Sequence, residues 1–342
     1  MNQIDASLVF AERLWLWFET HKRTLPWRDL DISDDTQRAY MVLVSEIMLQ
    51  QTQVSRVIII FKNFLEQFPT IRHLADASNK DVILAWRGMG YNSRALRLRD
   101  AARTIVDTYK GEFPGELHEL LAIKGIGPYT AAAIRNFAFH LPTPCIDTNI
   151  RRILHRVFAG PETVDEEGKE KWELNDRKLL LIADDTLRIA LESVPINQEP
   201  INPFGKLRTG QSTQNWHSAL MDFGSAVCTK SAPKCDICPM AKDGLCTSAF
   251  RVQAILKKRK KKESTEPGRL VGSVFIPNRI FRGRIVETLR DSSGGMSLQE
   301  IGSIITVDWS FDDHSVWLSG LLVKLEKDEM VKKMGEVFVL AE

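Results

Sequence analysis

Four cysteines close together in the chain are the feature that most limits how it can fold. Cys228, Cys235, Cys238 and Cys246 follow a C-x6-C-x2-C-x7-C spacing in the stretch CTKSAPKCDICPMAKDGLC. Gaps this short allow one loop to bring four sulfur atoms around a single centre. Thiolate ligands select soft metals, so the spacing predicts an iron–sulfur cluster or a tetrahedral zinc ion.

Two alternatives to a cluster follow from the same residues. A disulfide framework is typical of short, cysteine-dense secreted chains, whereas this chain has 5 cysteines in 342 residues. Zinc sites usually contain two tight pairs separated by a spacer, and here only Cys235 and Cys238 form such a pair. The spacing therefore favours iron–sulfur, with zinc as the lesser alternative. Cys145 stands apart and is expected to be a small buried residue.

The composition describes an ordinary globular chain, with 44% hydrophobic and 26% charged residues. No apolar run approaches the length of a membrane span, and the N-terminal segment has no basic region of a signal peptide. We expect a monomer with no membrane association, in a reducing compartment such as the cytoplasm or nucleoid.

Charge and composition along the chain suggest where the domains end. Apolar residues recur at helical spacing through the first two hundred residues, which predicts an all-α body. Residues 192–214 are rich in Pro, Gly, Asn and Gln and predict a mobile loop or insertion. The basic run 257–262 predicts a linker, or a segment that follows a phosphate backbone. Residues 271–342 predict three helices and a terminal hairpin, as in a winged helix.

Residues 116–139 predict two helices joined by the turn Lys124-Gly125-Ile126-Gly127-Pro128. Leu117, Leu120 and Leu121 are expected to be buried in the first helix. Glycine allows a tight turn, and proline fits the first turn of the second helix. The free N–H groups at the start of that helix suit an anion, so the segment is typical of a hairpin that holds the DNA backbone.

Several motifs, in order along the chain, resemble a known enzyme family. They are LPWR (25–28), SEIMLQQTQV (45–54), GMGYNSRA (88–95), IKGIGPYTAAA (123–133), IDTNIRRIL (146–154) and the cysteine loop. Together they are similar to the MutY-type adenine DNA glycosylases of the helix–hairpin–helix superfamily, which includes endonuclease III. The resemblance covers roughly residues 8–250.

The resemblance implies a fold, a cofactor and a partner. The fold is all-α, with a six-helix barrel domain (31–141) and an iron–sulfur domain (1–30 with 142–250), followed here by a basic linker (251–270) and the winged-helix-like domain (271–342). The cofactor is a [4Fe-4S] cluster. The partner is double-stranded DNA containing a mismatched or damaged base.

The resemblance also implies roles for four catalytic residues. Glu46, in an apolar setting that favours the protonated carboxyl, protonates the purine and helps position water. Asp147 stabilises the cationic sugar and Asn149 supports it, while Asp147 is also placed to cap the helix that follows. Tyr129 stands where endonuclease III-like enzymes have a lysine that attacks the sugar. A phenol forms no Schiff base, so a monofunctional glycosylase is expected.

Further residues match positions at which the family contacts DNA. Gln51 and Tyr91 match side chains that enter the base stack around the target. The full set of DNA-contacting positions implied by the resemblance is Trp27, Arg28, Gln51, Thr52, Met89, Tyr91, Lys124, Gly125 and Gly127.

The chain departs from the family pattern at four points. The last cysteine gap is seven residues, where the family has five. Ser218 occupies the place of a glutamine or glutamate that contacts adenine, and Asn92 occupies the place of a second tyrosine. The tail is too short for the Nudix-like domain that recognises oxidised guanine.

The expected function is excision of a mispaired base, adenine opposite G or 8-oxoguanine, in base-excision repair. One alternative is a mismatch glycosylase of the same fold acting on thymine, uracil or hypoxanthine. Another is a non-catalytic winged-helix DNA-binding protein.

Overall fold

The computed structural model describes residues 3–165, 170–192, 208–252, 266–292 and 294–342. The basic run 257–262 and much of the predicted mobile loop lie outside these residues. Within them the chain is mostly helical, which confirms the predicted all-α body. No helix of the described ranges is long and apolar enough to cross a membrane.

The helices are numbered here in chain order. They are α1 (Gln3–His21), α2 (Asp35–Leu49), α3 (Val54–Gln67), α4 (Ile71–Asp76), α5 (Asn79–Ala85), α6 (Ser93–Tyr109), α7 (Leu117–Ala122), α8 (Pro128–Phe137), α9 (Thr148–Leu154), α10 (Asp176–Glu192), α11 (Arg208–Ala226), α12 (Pro239–Lys242), α13 (Asn278–Arg290), α14 (Leu298–Ile305) and α15 (Phe311–Lys327). A π-helical turn, His155–Ala159, continues α9.

The strands are short and antiparallel. They are β1 (Thr163–Val164), β2 (Glu170–Lys171), β3 (Gly268–Val271), β4 (Val274–Pro277), β5 (Met296–Ser297), β6 (Val331–Met334) and β7 (Val337–Leu340). Pairs β1–β2 and β3–β4 stand alone, while β5, β7 and β6 form one sheet in that order. Val331 lies opposite Leu340, and Met296 lies opposite Phe338.

The chain divides into two compact units. The first unit combines 1–42, 115–121 and 126–263, and its core joins α1, α9, α10 and α11 around Trp216 and Phe10, which pack edge to face. This unit contains the cysteine loop. Helix α11 begins at Arg208, earlier than the start at Trp216 that the sequence predicts.

The second unit combines 43–114, 122–125 and 264–342, so the C-terminal residues group with helices of the predicted barrel. Its core brings Ile83 of α5 and Leu96 of α6 together with Phe281 and Ile285 of α13. The domain boundaries drawn from the sequence therefore stay a prediction. The structure begins the C-terminal module at β3, within the segment that the sequence assigns to the linker.

The C-terminal module contains the three helices and the terminal hairpin that the sequence predicts. Helix α14 begins with a complete capping box between Ser297 and Glu300, which satisfies two N–H groups at the helix start. The exposed side chains in the first turns of α15 are Phe311, Asp312, Asp313 and Val316. Such a surface is acidic and apolar, so the N-terminal half of α15 is poorly suited to contact DNA phosphates.

Two glycines of this module allow a matched test of its packing. A Cβ added to Gly302 of α14 would lie 2.3 Å from the ring of Trp309, whereas one added to Gly320 of α15 would meet nothing within 4 Å. We expect Gly302→Ala to lower the free energy of unfolding by about 1–3 kcal/mol because the rigid indole must move. Gly320→Ala should raise it by about 0.5–1 kcal/mol because alanine favours a helix. Urea unfolding of both variants checks this, and equal effects would contradict the close contact.

Candidate active site

The predicted catalytic carboxylate Asp147 lies at the start of α9. Its Oδ1 accepts a hydrogen bond from the backbone N–H of Ile150 at 2.6 Å, and its Oδ2 accepts one from Asn149 Nδ2 at 3.0 Å. Asp147 is therefore the helix cap that the sequence predicts, and both of its oxygens are oriented by neighbours. The side chain is partly exposed, so the carboxylate still faces solvent.

Asn149 is held in turn by a buried arginine. Arg152 Nη2 donates to Asn149 Oδ1 at 2.7 Å and to the carbonyl of Gly224 at 2.8 Å. Arg152 Nε donates to the carbonyl of Cys228 at 2.7 Å. Since Cys228 is the first of the four cysteines, one guanidinium connects the support of Asp147 to the cysteine loop.

Helix α11 approaches α9 through a glycine. A Cβ added to Gly224 would lie 2.8 Å from the Cβ of Asn149, closer than real side chains come. Gly224 thus leaves the space that Asn149 occupies. No local sequence pattern predicts a role for Arg152 or Gly224, because both act through contacts between distant parts of the chain.

Tyr129 is the second residue of α8, directly after the hairpin turn. Its side chain is half-buried and packs against the core of the first unit. Gly125 has φ +99°, a conformation that favours glycine, and Gly127 caps α8 in extended conformation before Pro128. Lys124, Gly125 and Gly127 are exposed, as a backbone-gripping turn requires.

The first helix of this hairpin is shorter than its pattern suggests. Leu120 is fully buried and Leu117 half-buried, but Leu121 is 42% exposed, so its predicted burial is wrong. Helix α7 spans only Leu117–Ala122, and adjacent residues such as Leu120 and Leu121 do not share a helix face. Leu121 therefore turns away from the face that buries Leu120.

Glu46, the predicted general acid, lies in the last turns of α2 in the second unit. It is partly buried, and its neighbours Ser45 and Ile47 are 1% and 5% exposed. The helix thus places this carboxyl at the edge of an otherwise apolar segment. Asp147 and Asn149 belong to the first unit and form their own hydrogen-bonded group.

The two predicted stack-entering residues share an unusual backbone. Gln51 has φ +57° and Tyr91 has φ +46°, a left-handed conformation that is rare for side chains of this size. Both side chains are exposed, and Tyr91 is 47% accessible. Strained, exposed residues of this kind concentrate at functional sites, so the geometry agrees with a role in contact with a ligand.

One buried arginine joins the loops that carry these two residues. Arg94 donates to the carbonyls of Ile47 at 2.9 Å and Met89 at 3.2 Å, and to the Thr52 hydroxyl at 3.1 Å. Its guanidinium also lies over the Tyr91 ring, 5.6 Å from the centroid. The predicted contact residues Thr52 and Met89 thus have structural partners here, and Met89 is buried.

Sequence reasoning assigned no role to Arg94. Burial lowers its pKa to about 10, which is still well above neutral. The sequence feature that could have indicated a role for Arg94 is its position in α6. It lies on the same helix face as the buried residues Leu98, Ala101 and Ile105. A cation on the core-facing side of an amphipathic helix needs acceptors from elsewhere in the fold.

Trp27 and Arg28, predicted to contact DNA, both have partners in the first unit. Trp27 is 7% exposed. Arg28 donates from Nη1 and Nη2 to the buried carboxylate of Asp222, at 2.8 and 2.9 Å. Arg23 binds the same carboxylate through its backbone N–H and Nε. Arg28 therefore fixes the N-terminal segment against α11.

The cysteine loop follows α11, and its four thiols are free. Burial raises the pKa of Cys238 to about 11 and that of Cys246 to about 12, and the neighbouring thiolates add to both shifts. All four cysteines lie in this one loop. No three of them, nor any other His, Cys, Asp or Glu of the described ranges, are grouped to hold a metal ion.

A buried ion pair supports this loop. Arg156 and Glu162 are each 2% exposed at the side chain, and Arg156 Nε lies 2.9 Å from Glu162 Oε2. Arg156 Nη1 also donates to the Thr229 carbonyl at 2.7 Å and lies 3.7 Å from Cys228 Sγ. Soft thiol donors next to buried cations are chemically suited to hold an anionic iron–sulfur cluster.

His217 lies in a buried polar network next to Ser218. His217 Nδ1 donates to the carbonyl of Thr213 at 2.9 Å, and Asn136 Nδ2 lies 3.4 Å from His217 Nε2. Thr213 donates its hydroxyl to Asn136 at 2.8 Å. Burial lowers the pKa of His217 to about 4. Ser218, which replaces the expected adenine-contacting side chain, is 2% exposed.

Comparison with known proteins agrees with this geometry. Residues 44–175 match the family described as HhH-GPD superfamily base excision DNA repair protein. Residues 44–175 thus form a domain of this superfamily. The match covers Glu46, both exposed loops, the hairpin, Asp147 and Asn149, and it confirms the resemblance inferred from the motifs.

Individual relatives extend the match beyond the family region. An adenine DNA glycosylase of Mycolicibacterium smegmatis is 29% identical over 307 residues, covering 90% of this chain and 88% of that protein. One of Mus musculus is 35% identical over 249 residues, covering 72% of this chain but only 42% of the mouse protein. The chain thus spans less than half of the mouse relative's length.

A solved structure confirms the fold. The structure of a thermostable thymine-DNA glycosylase aligns with a TM-score of 0.56 and 25% identity, covering 71% of this chain and 96% of that one.

The buried histidine predicts how stability depends on pH. His217 is neutral in the folded chain, because its pKa of about 4 lies below the ordinary value of 6.5. As pH falls through this window the unfolded chain binds a proton that the folded chain does not. The free energy of unfolding should therefore fall, by at most roughly 3 kcal/mol from this residue.

Urea unfolding of the parent and of His217→Gln near neutral pH and near pH 5 would measure this contribution. The variant should lose less stability on acidification than the parent. Parallel losses in both proteins would show that His217 is not the group responsible.

Proposed function

We propose that this protein is a monofunctional DNA glycosylase that removes adenine from a mispair in double-stranded DNA. The observation that carries the proposal is the arrangement around Asp147, whose two oxygens are oriented by Ile150 and Asn149 while the side chain remains partly exposed. Hydrolysis of an N-glycosidic bond needs such a carboxylate to stabilise the cationic sugar. The adenine DNA glycosylase relatives support adenine as the target base.

In this mechanism two carboxyl groups divide the work. Glu46, at the edge of an apolar helix segment, donates a proton to the purine ring so that the base leaves as a neutral molecule. Asp147 stays ionised and stabilises the oxocarbenium ion by its negative charge. Water, positioned with the help of Glu46, then attacks the sugar and gives up a proton to the Glu46 carboxylate, which restores the starting acid.

Tyr129 supports the monofunctional assignment. It occupies the start of α8, next to the hairpin turn, where a lysine amine would be needed to form a Schiff base with the sugar. A phenol provides no such amine. Strand cleavage should then require a separate treatment with alkali.

The cysteine loop supports a [4Fe-4S] cluster as the resident cofactor, held by Cys228, Cys235, Cys238 and Cys246. When bound, the cluster would cross-link the four thiolates and so fix the loop. Arg152 and Arg156 donate to backbone carbonyls of this loop. Ordering the loop would therefore also restrain Arg152, which holds Asn149.

Two exposed loops and the hairpin support double-stranded DNA as the partner. In this proposal the exposed side chains of Gln51 and Tyr91 fill the space that a flipped base leaves in the stack. The exposed turn at Lys124 and Gly125 presents the N-terminus of α8 for a phosphate.

Single-turnover excision from end-labelled duplexes tests the proposal. The duplexes carry A opposite G and A opposite 8-oxoguanine, and each reaction is divided between treatment with and without alkali. We expect cleavage only after alkali, and Glu46→Gln should lower the rate by at least about a hundredfold with binding retained. Cleavage without alkali would contradict the role of Tyr129, and equal rates for the variant would support a non-catalytic binding protein.

Gly224 offers a second test that leaves every catalytic side chain in place. In Gly224→Ala the new methyl group would displace Asn149 from Asp147, so excision should slow by about tenfold or more. Ser225→Ala is the matched control, since Ser225 is exposed and its hydroxyl bonds only to carbonyls one turn back. Equal rates in the two variants would show that the Asn149 position does not matter.

A mismatch glycosylase acting on thymine is the second candidate. Ser218, buried in place of a longer adenine-contacting side chain, and the structural match to a thymine-DNA glycosylase favour it. Excision from T:G, U:G and hypoxanthine duplexes in the same assay distinguishes it from adenine excision.

A further inference from the structure

The C-terminal module is packed onto the part of the second unit that carries Tyr91. Phe281 and Ile285 of α13 share a core with Ile83 of α5 and Leu96 of α6. Asn79 Nδ2, at the start of α5, donates to the carbonyl of Glu329 at 2.9 Å. The module therefore packs against α5 and α6, the helices that precede and follow the segment 87–92.

Three arginine contacts join the module to this segment. Arg290 Nη2 donates to Asn92 Oδ1 at 3.0 Å, in a buried setting. Arg279 Nη1 donates to the Tyr91 hydroxyl at 3.0 Å. Arg87 pairs with Asp291 at the protein surface. Two consecutive residues of the segment, Tyr91 and Asn92, are thus held by two arginines of the same helix, α13.

The side chain of Asn92 bonds to Arg290 and does not cap its own helix. It occupies the cap position of α6 but makes no side-chain bond to the helix N–H groups. Its amide oxygen instead accepts from Arg290, whose residue is 8% exposed. A hydrogen bond from a buried charged donor is one of the stronger kinds, so this contact fixes the start of α6.

Arg279 is oriented from its other side. Its Nε donates to Glu266 at 3.0 Å while its Nη1 reaches Tyr91. A planar guanidinium with two partners has a defined direction. The Tyr91 ring is in turn covered by Arg94, 5.6 Å from its centroid. Tyr91 is therefore held at its hydroxyl and at its ring face, although its side chain is 47% exposed.

The backbone of Tyr91 explains why such support is needed. At φ +46° the residue is in a left-handed conformation that is unfavourable for a bulky side chain. A short exposed segment would leave this backbone conformation unless contacts with neighbouring groups held it there. The hydrogen bonds to the Tyr91 hydroxyl and to the Asn92 amide come from the module. Arg94, which lies over the Tyr91 ring, also donates to Thr52 and to the carbonyl of Ile47 next to Gln51.

We infer that the C-terminal module positions Tyr91 for entry into the base stack, with Arg279 and Arg290 as positioning residues. The inference rests on the proposed function, because it takes Tyr91 to act on DNA. The alternative, that the module reads DNA through α15, is not favoured by the acidic and apolar side chains of Asp312, Asp313 and Val316. The module thus acts on DNA through the segment 87–92, which carries Tyr91.

A double-mutant cycle on the full chain tests the Arg279–Tyr91 contact. The variants are Arg279→Gln, Tyr91→Phe and the combination, and Tyr91→Phe removes only the hydroxyl acceptor. The probe is a duplex with A opposite G and 2-aminopurine beside the mismatch, whose fluorescence rises when the bases unstack. Each single change should reduce the single-turnover rate and the fluorescence rise by about two- to fivefold, and the double change should lose no more than either alone.

Arg282→Gln is the matched control. It removes the same charge from the same helix, but Arg282 pairs with Asp328 inside the module. It should behave like the parent in both readouts. Equal effects of Arg279→Gln and Arg282→Gln, or full additivity of Arg279→Gln with Tyr91→Phe, would overturn the inference.

Arg290→Gln tests the buried contact in the same way. It should lower the rate and the fluorescence rise by about tenfold, with Asn92→Ala giving a similar loss that is not additive with it. Thermal unfolding of both variants accompanies the assay, so that a loss of folded protein is recognised. Folded Arg290→Gln protein with parental fluorescence would contradict a positioning role.

The two readouts separate this inference from the proposed function. Unstacking of 2-aminopurine requires binding but no bond cleavage. If the parent unstacks the probe and the cycle shows coupling while no duplex loses a base, the proposed activity fails and the positioning role stands. If bases are excised but the cycle shows no coupling, the positioning role alone fails.

Discussion

The buried guanidinium of Arg152 is the interaction on which the candidate active site depends. Burial lowers the pKa of Arg152, but the group is surrounded by acceptors from three separate parts of the chain. These are Asn149 on α9, the carbonyl of Gly224 on α11 and the carbonyl of Cys228 in the cysteine loop. An arginine removed from water needs all of its partners, so these parts must be in place together. The position of Asn149, and through it the orientation of Asp147, is therefore set by the same contact that anchors the cysteine loop.

Arg94 is the corresponding buried arginine in the second unit, where it joins separate parts of the chain. Its five N–H donors in a rigid fork suit carbonyl groups at the ends of helices and in tight turns, which have no partner within their own segment. It collects such carbonyls from Ile47, Met89 and their neighbours, so the loops of Gln51 and Tyr91 are fixed relative to each other. Hydrophobic packing alone would leave these polar segments poorly determined. In both units a buried arginine, and not a large apolar side chain, defines the backbone next to the predicted functional residue.

Local chemistry explains what could be predicted from the sequence. Asp147 before a helix predicts a cap, and glycine and proline at 125–128 predict the turn; both follow from rules that act over a few residues, and the structure contains both. The helices of the C-terminal module follow from their periodicity in the same way. The partners of Arg152, Arg94 and Arg28 could not be predicted, because their acceptors lie far away in the chain and no local pattern marks a carbonyl as available. The strands β3 and β4 were missed because Gly268–Val271 lies in a stretch whose composition resembles a linker. Leu121 was misplaced because the short helix α7 leaves little periodicity to read.

The departure at Asn92 shows how a local change and a distant module depend on each other. In the resemblance to MutY-type enzymes a tyrosine occupies this place, and its ring would offer no acceptor in the position of Asn92 Oδ1. Arg290, whose side chain is fully buried, would then lose a partner, and its Nε already has none among the described residues. A buried cation that loses an acceptor is destabilised by more than the hydrogen bond itself contributes. Conversely, without Arg290 the buried amide oxygen of Asn92 would lose this hydrogen-bond donor. The asparagine and the module therefore depend on each other through this one buried contact.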